Sequence, residues 1–169
     1  ALTLYFLVNS ASLSVGLFFS LFVIILLVAL FFFDVLYLIL PDKITLTLAG
    51  TALAYNIFFR RADLVNTVLA GFLFGLVFAI MYLISHGRWM GFGDAKLAIA
   101  IGLILGYPLG LWVIIFSVWV ATIWGLILMA LKRATPKTAL PFGSFMSATA
   151  VIFIIFRNVI EKTISLYFF

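Results

Sequence analysis

Apolar residues run along this chain in long blocks separated by short polar breaks, and the block lengths speak first. A helix that crosses a bilayer needs about 20 consecutive apolar residues, and on that template the pattern predicts six spans, two of them below standard length. The first is expected at about Leu13 to Phe33, meeting Asp34 at its end, and the second, a short one, at about Ile44 to Phe59, stopped by Arg60-Arg61. A third covers about Leu64 to Ser85. The fourth starts at Asp94 and runs to about Gly106, where Tyr107-Pro108 closes it, because proline cannot continue a helix and restricts the residue before it. The fifth and sixth are expected at about Leu109 to Leu131 and Phe142 to Ile160, separated by the polar segment Lys132 to Leu140. No Gly- or Ser-rich linker and no internal repeat divides the chain, which predicts one membrane-embedded domain over residues 1–169.

Composition turns that pattern into a fold class. With 67% hydrophobic and 9% charged residues, and a mean hydropathy of +1.40, the chain lacks the polar surface to cover a soluble domain. A bilayer solvates such an exterior, provided that each span satisfies its own backbone hydrogen bonds. The expectation is an all-α, polytopic helical membrane protein. The absence of cysteine removes disulfides, thiolate metal sites and cysteine nucleophiles together. Its net charge of +5 comes from scattered Lys and Arg rather than a basic run, so the matching partner is anionic membrane lipid and not nucleic acid. The chain starts at Ala1 without an initiator Met, so a segment upstream is expected to be missing. The early apolar patch Ala1 to Val8 reads either as the stub of a preceding span or as the lead into the first helix; it has neither the basic flank nor the cleavage site of a signal peptide.

Orientation follows the basic residues. Placing the loop after the first span inside assigns Lys43, Arg88, Lys96, Lys132, Arg133 and Lys137 to the cytoplasm and Arg60, Arg61, Arg157 and Lys162 to the far side, six against four. One consequence holds in either direction: two spans separate Asp34 from Asp94, so both carboxylates emerge at the same face.

The chain holds five acids, Asp34, Asp42, Asp63, Asp94 and Glu161, and three of them belong to that face. Asp63 and Glu161 stand beside basic residues at the opposite ends of spans and read as solvated interfacial charges. Asp34 has Phe31-Phe32-Phe33 before it and an apolar run after it. An acid at membrane depth is costly and is retained mainly where it faces a cavity, a partner or a pathway. Asp94 follows Gly91-Phe92-Gly93, two glycines that let backbone approach a substrate or a neighbouring helix closely; alone, it could equally cap the apolar helix that follows. Two carboxylates in one low-dielectric site cannot both ionise easily, so one is expected to act as base on a water while its protonated partner donates to a scissile carbonyl. No competing set is visible. His86 has only Ser85 as an adjacent hydroxyl, adjacent helical residues do not face each other, and one His with a few acids is a poor set for zinc. No metal and no cofactor is expected.

Asp34, the turn Leu40-Pro41-Asp42-Lys43, the block Gly91-Phe92-Gly93-Asp94-Ala95-Lys96 and Leu140-Pro141-Phe142-Gly143, taken in that order, resemble the type IV prepilin peptidases. These are membrane aspartic proteases of the GxGD kind, related to preflagellin peptidases and more distantly to presenilins. The resemblance implies that Asp34 and Asp94 are the two catalytic aspartates, since the first stands eight positions before the Asp of the Pro-Asp turn, as Asp34 does before Asp42, and the second closes GxGD. It implies as substrate a prepilin or pseudopilin whose basic leader is cut at the cytoplasmic face of the inner or cytoplasmic membrane, ahead of its hydrophobic helix. Asp42 is expected either to support the site or to cap the second helix, and Lys96 either to bias the pair or to anchor at the interface. Pro141, Phe142 and Gly143 either line the site or form a loop-to-helix turn. Many bacterial members also carry a cysteine-containing domain and N-methylate the new amino terminus; without cysteines, this form is expected to be a peptidase only, or a segment lacking the second activity. The alternative from another class is a small proton-coupled transporter or channel component with Asp34 and Asp94 as an intramembrane relay.

Overall fold

The computed structural model of the chain describes residues 2–133, 135, 138–157, 159–160 and 162–163, with side chains from residue 14 onward. Six α-helices follow one another: α1 (Leu2–Tyr37), α2 (Asp42–Phe59), α3 (Leu64–Ser85), α4 (Phe92–Leu105), α5 (Leu109–Ala130) and α6 (Phe142–Ile155), with a 3₁₀ turn, Arg61–Asp63, leading into α3. Among the described residues there is no strand, and the protein is an all-α membrane protein. Lys137 and Glu161 lie outside the described residues.

Three helices are long and apolar enough to cross a bilayer by length and composition: Ser14–Tyr37 within α1, Arg61–Ser85 including α3, and Leu109–Ala130, which is α5. Helices α4 and α6 have 14 residues each. At a rise of 1.5 Å per residue α4 is about 21 Å long, short of a hydrocarbon core of about 30 Å, so it leaves at least one end recessed. Beyond a turn at Phe156, the described residues 157, 159–160 and 162–163 are again helical, in keeping with a sixth span that reaches Ile160.

Two boundaries move in ways that matter. The first helix does not stop before Asp34; it continues one turn further to Tyr37, so that Asp34 stands inside it and is buried. It ends where Leu38 donates its N–H to the carbonyl of Asp34 (2.9 Å) and takes a left-handed φ of 53°, an uncommon conformation for a leucine that costs of the order of 1–3 kcal/mol. At its other end, residues 2–8 continue into α1 without a break, as the lead into the helix. The fourth helix starts at Phe92 with Gly91 at its cap position, so Asp94 lies in the first turn, where its carboxylate accepts the N–H of the capping residue.

The centre of the protein is α4, in which Asp94 and nine of the residues that follow it are buried. A helix that is apolar all round belongs inside, and small residues let its neighbours come close. Gly102 illustrates the point, since a Cβ there would lie 2.4 Å from the Gly71 nitrogen of α3. One turn along, Gly75 leaves room for Ile99. The far end of α4 is tied by amides. Asn56 of α2 donates to the Leu103 carbonyl (2.6 Å), and Asn66 of α3 donates to the Tyr107 carbonyl (2.9 Å) while accepting its N–H (3.1 Å). Helices α2, α3, α5 and α6 surround α4, and α1 closes the bundle against α6 and α2.

Candidate active site

The starts of α4 and α6 lie at one end of the bundle, and each holds an aspartate through the main chain. Asp94, in the first turn of α4, accepts the N–H of Gly91 through Oδ2 (3.2 Å). Asp34 comes from the last turns of α1 and reaches the start of α6, where its Oδ2 accepts the N–H of Ser144 (2.6 Å). Only 5% of Asp34 and 7% of Asp94 is exposed. Both line a single cavity of about 1050 Å³. Two residues 60 positions apart in the chain therefore meet at one cavity, as the count of intervening spans predicts.

The cavity is walled by Val77, Phe78 and Met81 of α3 and by Ile114, Val118, Ala121 and Thr122 of α5. Charged side chains reach it from three further places: Asp42 at the start of α2, Lys96 of α4 and Arg88 of the loop before α4. Asp42 makes no capping hydrogen bond. Its carboxylate pairs with Lys96 Nζ at 2.5 Å, and the Lys96 ammonium also lies 5.2 Å from the centre of the Phe92 ring. The cap position of α2 is Pro41, whose carbonyl accepts the hydroxyl of Thr45 (2.9 Å).

The glycines divide. Gly91 is exposed on the cavity wall, and a Cβ there would meet Asp94 Oδ2 only at 3.8 Å, so its surroundings remain open to a ligand. Gly93 is instead packed, since a Cβ there would lie 3.0 Å from Leu40 Cβ. Gly143 is packed as well; its Cβ would stand 2.8 Å from Leu40 Cδ1 and 3.2 Å from Asp34 Oδ2. Phe142 lines the cavity and stacks on Phe78 with ring centres 5.9 Å apart. Pro141 forms the turn, its carbonyl accepting the N–H and hydroxyl of Ser144 (3.2 and 2.6 Å).

Outside this cluster stand the residues expected to be ordinary. Asp63 pairs with Arg60 at 2.6 Å at the opposite end of the bundle. His86 is exposed and closes α3 in a left-handed conformation, and the Ser85 hydroxyl donates to the Tyr82 carbonyl (3.2 Å), not to His86. Among the described residues no three His, Asp or Glu side chains converge as metal ligands. Sequence reasoning missed Ser144, whose contribution is a main-chain N–H, and Leu40, legible only as part of a turn. It also missed the Gly71-x-x-x-Gly75 spacing, which a search for small residues one helical turn apart would have found.

Two buried carboxylates, held by the first turns of two helices and lining one cavity of a polytopic helical bundle, define a membrane protein that keeps acids inside it. Comparison with known proteins is specific. The type IV leader peptidase family matches residues 21–126, and this chain belongs to that family. A prepilin leader peptidase/N-methyltransferase of Aeromonas salmonicida is 31% identical over 141 residues, covering 80% of this chain and 48% of the relative. Proteins of the same description from Pseudomonas aeruginosa (30% over 142 residues; 81% and 49%) and Legionella pneumophila (32% over 143 residues; 82% and 50%) are similar to it as well. The chain spans about half the length of these curated relatives. No solved structure matches it.

Proposed function

We propose that this chain is an aspartic endopeptidase that removes the leader from prepilin-like proteins, with Asp34 and Asp94 as its catalytic pair. The observation that carries the reading is the convergence of the two acids, each buried, each oriented by one main-chain N–H, on one cavity in a member of the leader peptidase family. With Oδ2 of each acid committed to an N–H, Oδ1 of each is left for chemistry. A water between the carboxyls loses a proton to the ionised one as it attacks the scissile carbonyl, and the protonated one donates to the carbonyl oxygen. In the collapse of the tetrahedral diol, the acid that took the water's proton gives it to the leaving amine while the other takes a proton back from a diol hydroxyl as the new carboxyl group forms, so that the pair ends with one proton, as it began. The apolar side chains that α3 and α5 turn toward the cavity suit the hydrophobic helix of a prepilin. The basic-residue bias places this end at the cytoplasmic face of the inner or cytoplasmic membrane.

The test is cleavage of a prepilin in membranes containing Asp34→Asn or Asp94→Asn. Asparagine keeps the acceptor for Ser144 or Gly91, so both variants should insert and fold while losing cleavage. Near-normal processing by either one refutes the dyad.

A further inference from the structure

Leu40 lies against both helix starts that hold the aspartates. It belongs to the short connection between α1 and α2, and it is 9% exposed, although Leu38 and Ile39 beside it are largely open. On one side it fills the space over Gly93, the residue before Asp94; on the other, its methyls fill the space over Gly143, the residue before the Ser144 N–H that holds Asp34. Its own position is set from α1, because Leu38 bonds back to the Asp34 carbonyl and turns the chain with a left-handed φ. The starts of α4 and α6 therefore meet across one leucine, and neither glycine leaves space for a methyl group without displacing it.

We infer that Leu40 is a positioning residue, a spacer that sets the separation of Asp34 and Asp94 by holding the first turns of α4 and α6 at a fixed distance. This inference rests on the proposed peptidase reading. Its physical basis is that interiors are close-packed, so that removing a wedge lets its flanks shift, and that acid–base catalysis is sensitive to ångström displacements. It also explains glycine at positions 93 and 143 by packing, without appeal to backbone freedom.

The experiment uses the full chain in detergent with a prepilin as substrate. Leu40→Ala should lower kcat by roughly tenfold to a hundredfold, leave KM within about twofold, and displace the limbs of the pH profile of kcat. The charged groups around the cavity that could contribute to those limbs are Asp34, Asp42, Asp94, Lys96 and Arg88; helices α3, α5 and α6 bring none. Leu40→Met, similar in volume, should restore most of kcat and the native profile. Leu48→Ala, removing a fully buried leucine of α2, is the control. It should lower the unfolding temperature while kcat and the profile stay native.

The inference is overturned if Leu40→Ala behaves as Leu48→Ala does, or if Leu40→Met restores nothing. Infrared titration of the protonated carboxyl band, assigned with Asp34→Asn and Asp94→Asn, reads the same spacing with no substrate. Should the native chain cleave no prepilin, the peptidase reading falls and this titration still decides Leu40: a displaced band in Leu40→Ala supports the spacer, an unmoved one rejects it.

Discussion

The two ends of α4 face opposite demands. At its C-terminal end the helix is clamped by neutral amides: Asn56 on the Leu103 carbonyl, and Asn66 in both directions on Tyr107. Gly102 lies against the Gly71 backbone just before it. At its N-terminal end, acids replace amides, a cavity of about 1050 Å³ replaces packing, and the principal spacer is a single leucine. Amides suit the clamp because they are satisfied by main-chain partners at no cost in charge. Acids suit the open end because they can exchange a proton. The lesson is that one end supplies rigidity so that the other can carry costly groups.

That contrast can be broken in order of effect. Asp34→Asn or Asp94→Asn should lower prepilin cleavage by roughly 10²- to 10⁴-fold, the usual worth of acid–base catalysis, with the unfolding temperature unchanged; a parallel loss of fold would mean the acids belong to the clamp. Gly102→Ala should do the opposite. Its methyl would meet main-chain atoms that cannot step aside, a destabilisation of about 1–3 kcal/mol or more visible in denaturation, while the molecules that do fold cleave normally. Asn56→Leu leaves the Leu103 carbonyl without its partner and should cost about 1–2 kcal/mol, again without a selective effect on kcat. Smallest of all, Asp63→Asn removes an ion pair in which Asp63 is 47% exposed; it should change stability by less than about 1 kcal/mol and leave cleavage native. A large loss of activity there would mean that the opposite end of the bundle takes part in the reaction.

Much of this was legible beforehand, for definite reasons. Long apolar blocks can exist only as helices in lipid, so the number of helices and most of their limits followed from hydropathy alone; α3, Leu64–Ser85, matches its expected range. Asp34 and Asp94 could be singled out because an acid in an apolar block needs a reason, and counting the spans between them placed both at one face. Other features were illegible because they depend on atoms that residue type does not describe. Ser144 matters through its main-chain N–H, which every residue but proline carries. Asp42 and Lys96 gave no sign in the sequence of the bond between them, 54 positions apart in the chain. Gly93 lines the cavity, and that Leu40 packs against it could not be read from the sequence.

By itself, then, the sequence determined the all-α membrane class, the helices and the pair of acids, since these rest on the cost of placing polar groups and charges in lipid, which residue type and order already express. Tertiary structure decided what holds that pair: which N–H each aspartate accepts, which glycine is packed and which is open, and that Leu40 stands between the two helix starts. Those are matters of contact between segments distant in the chain, settled by volume and hydrogen-bond geometry only when the helices have packed.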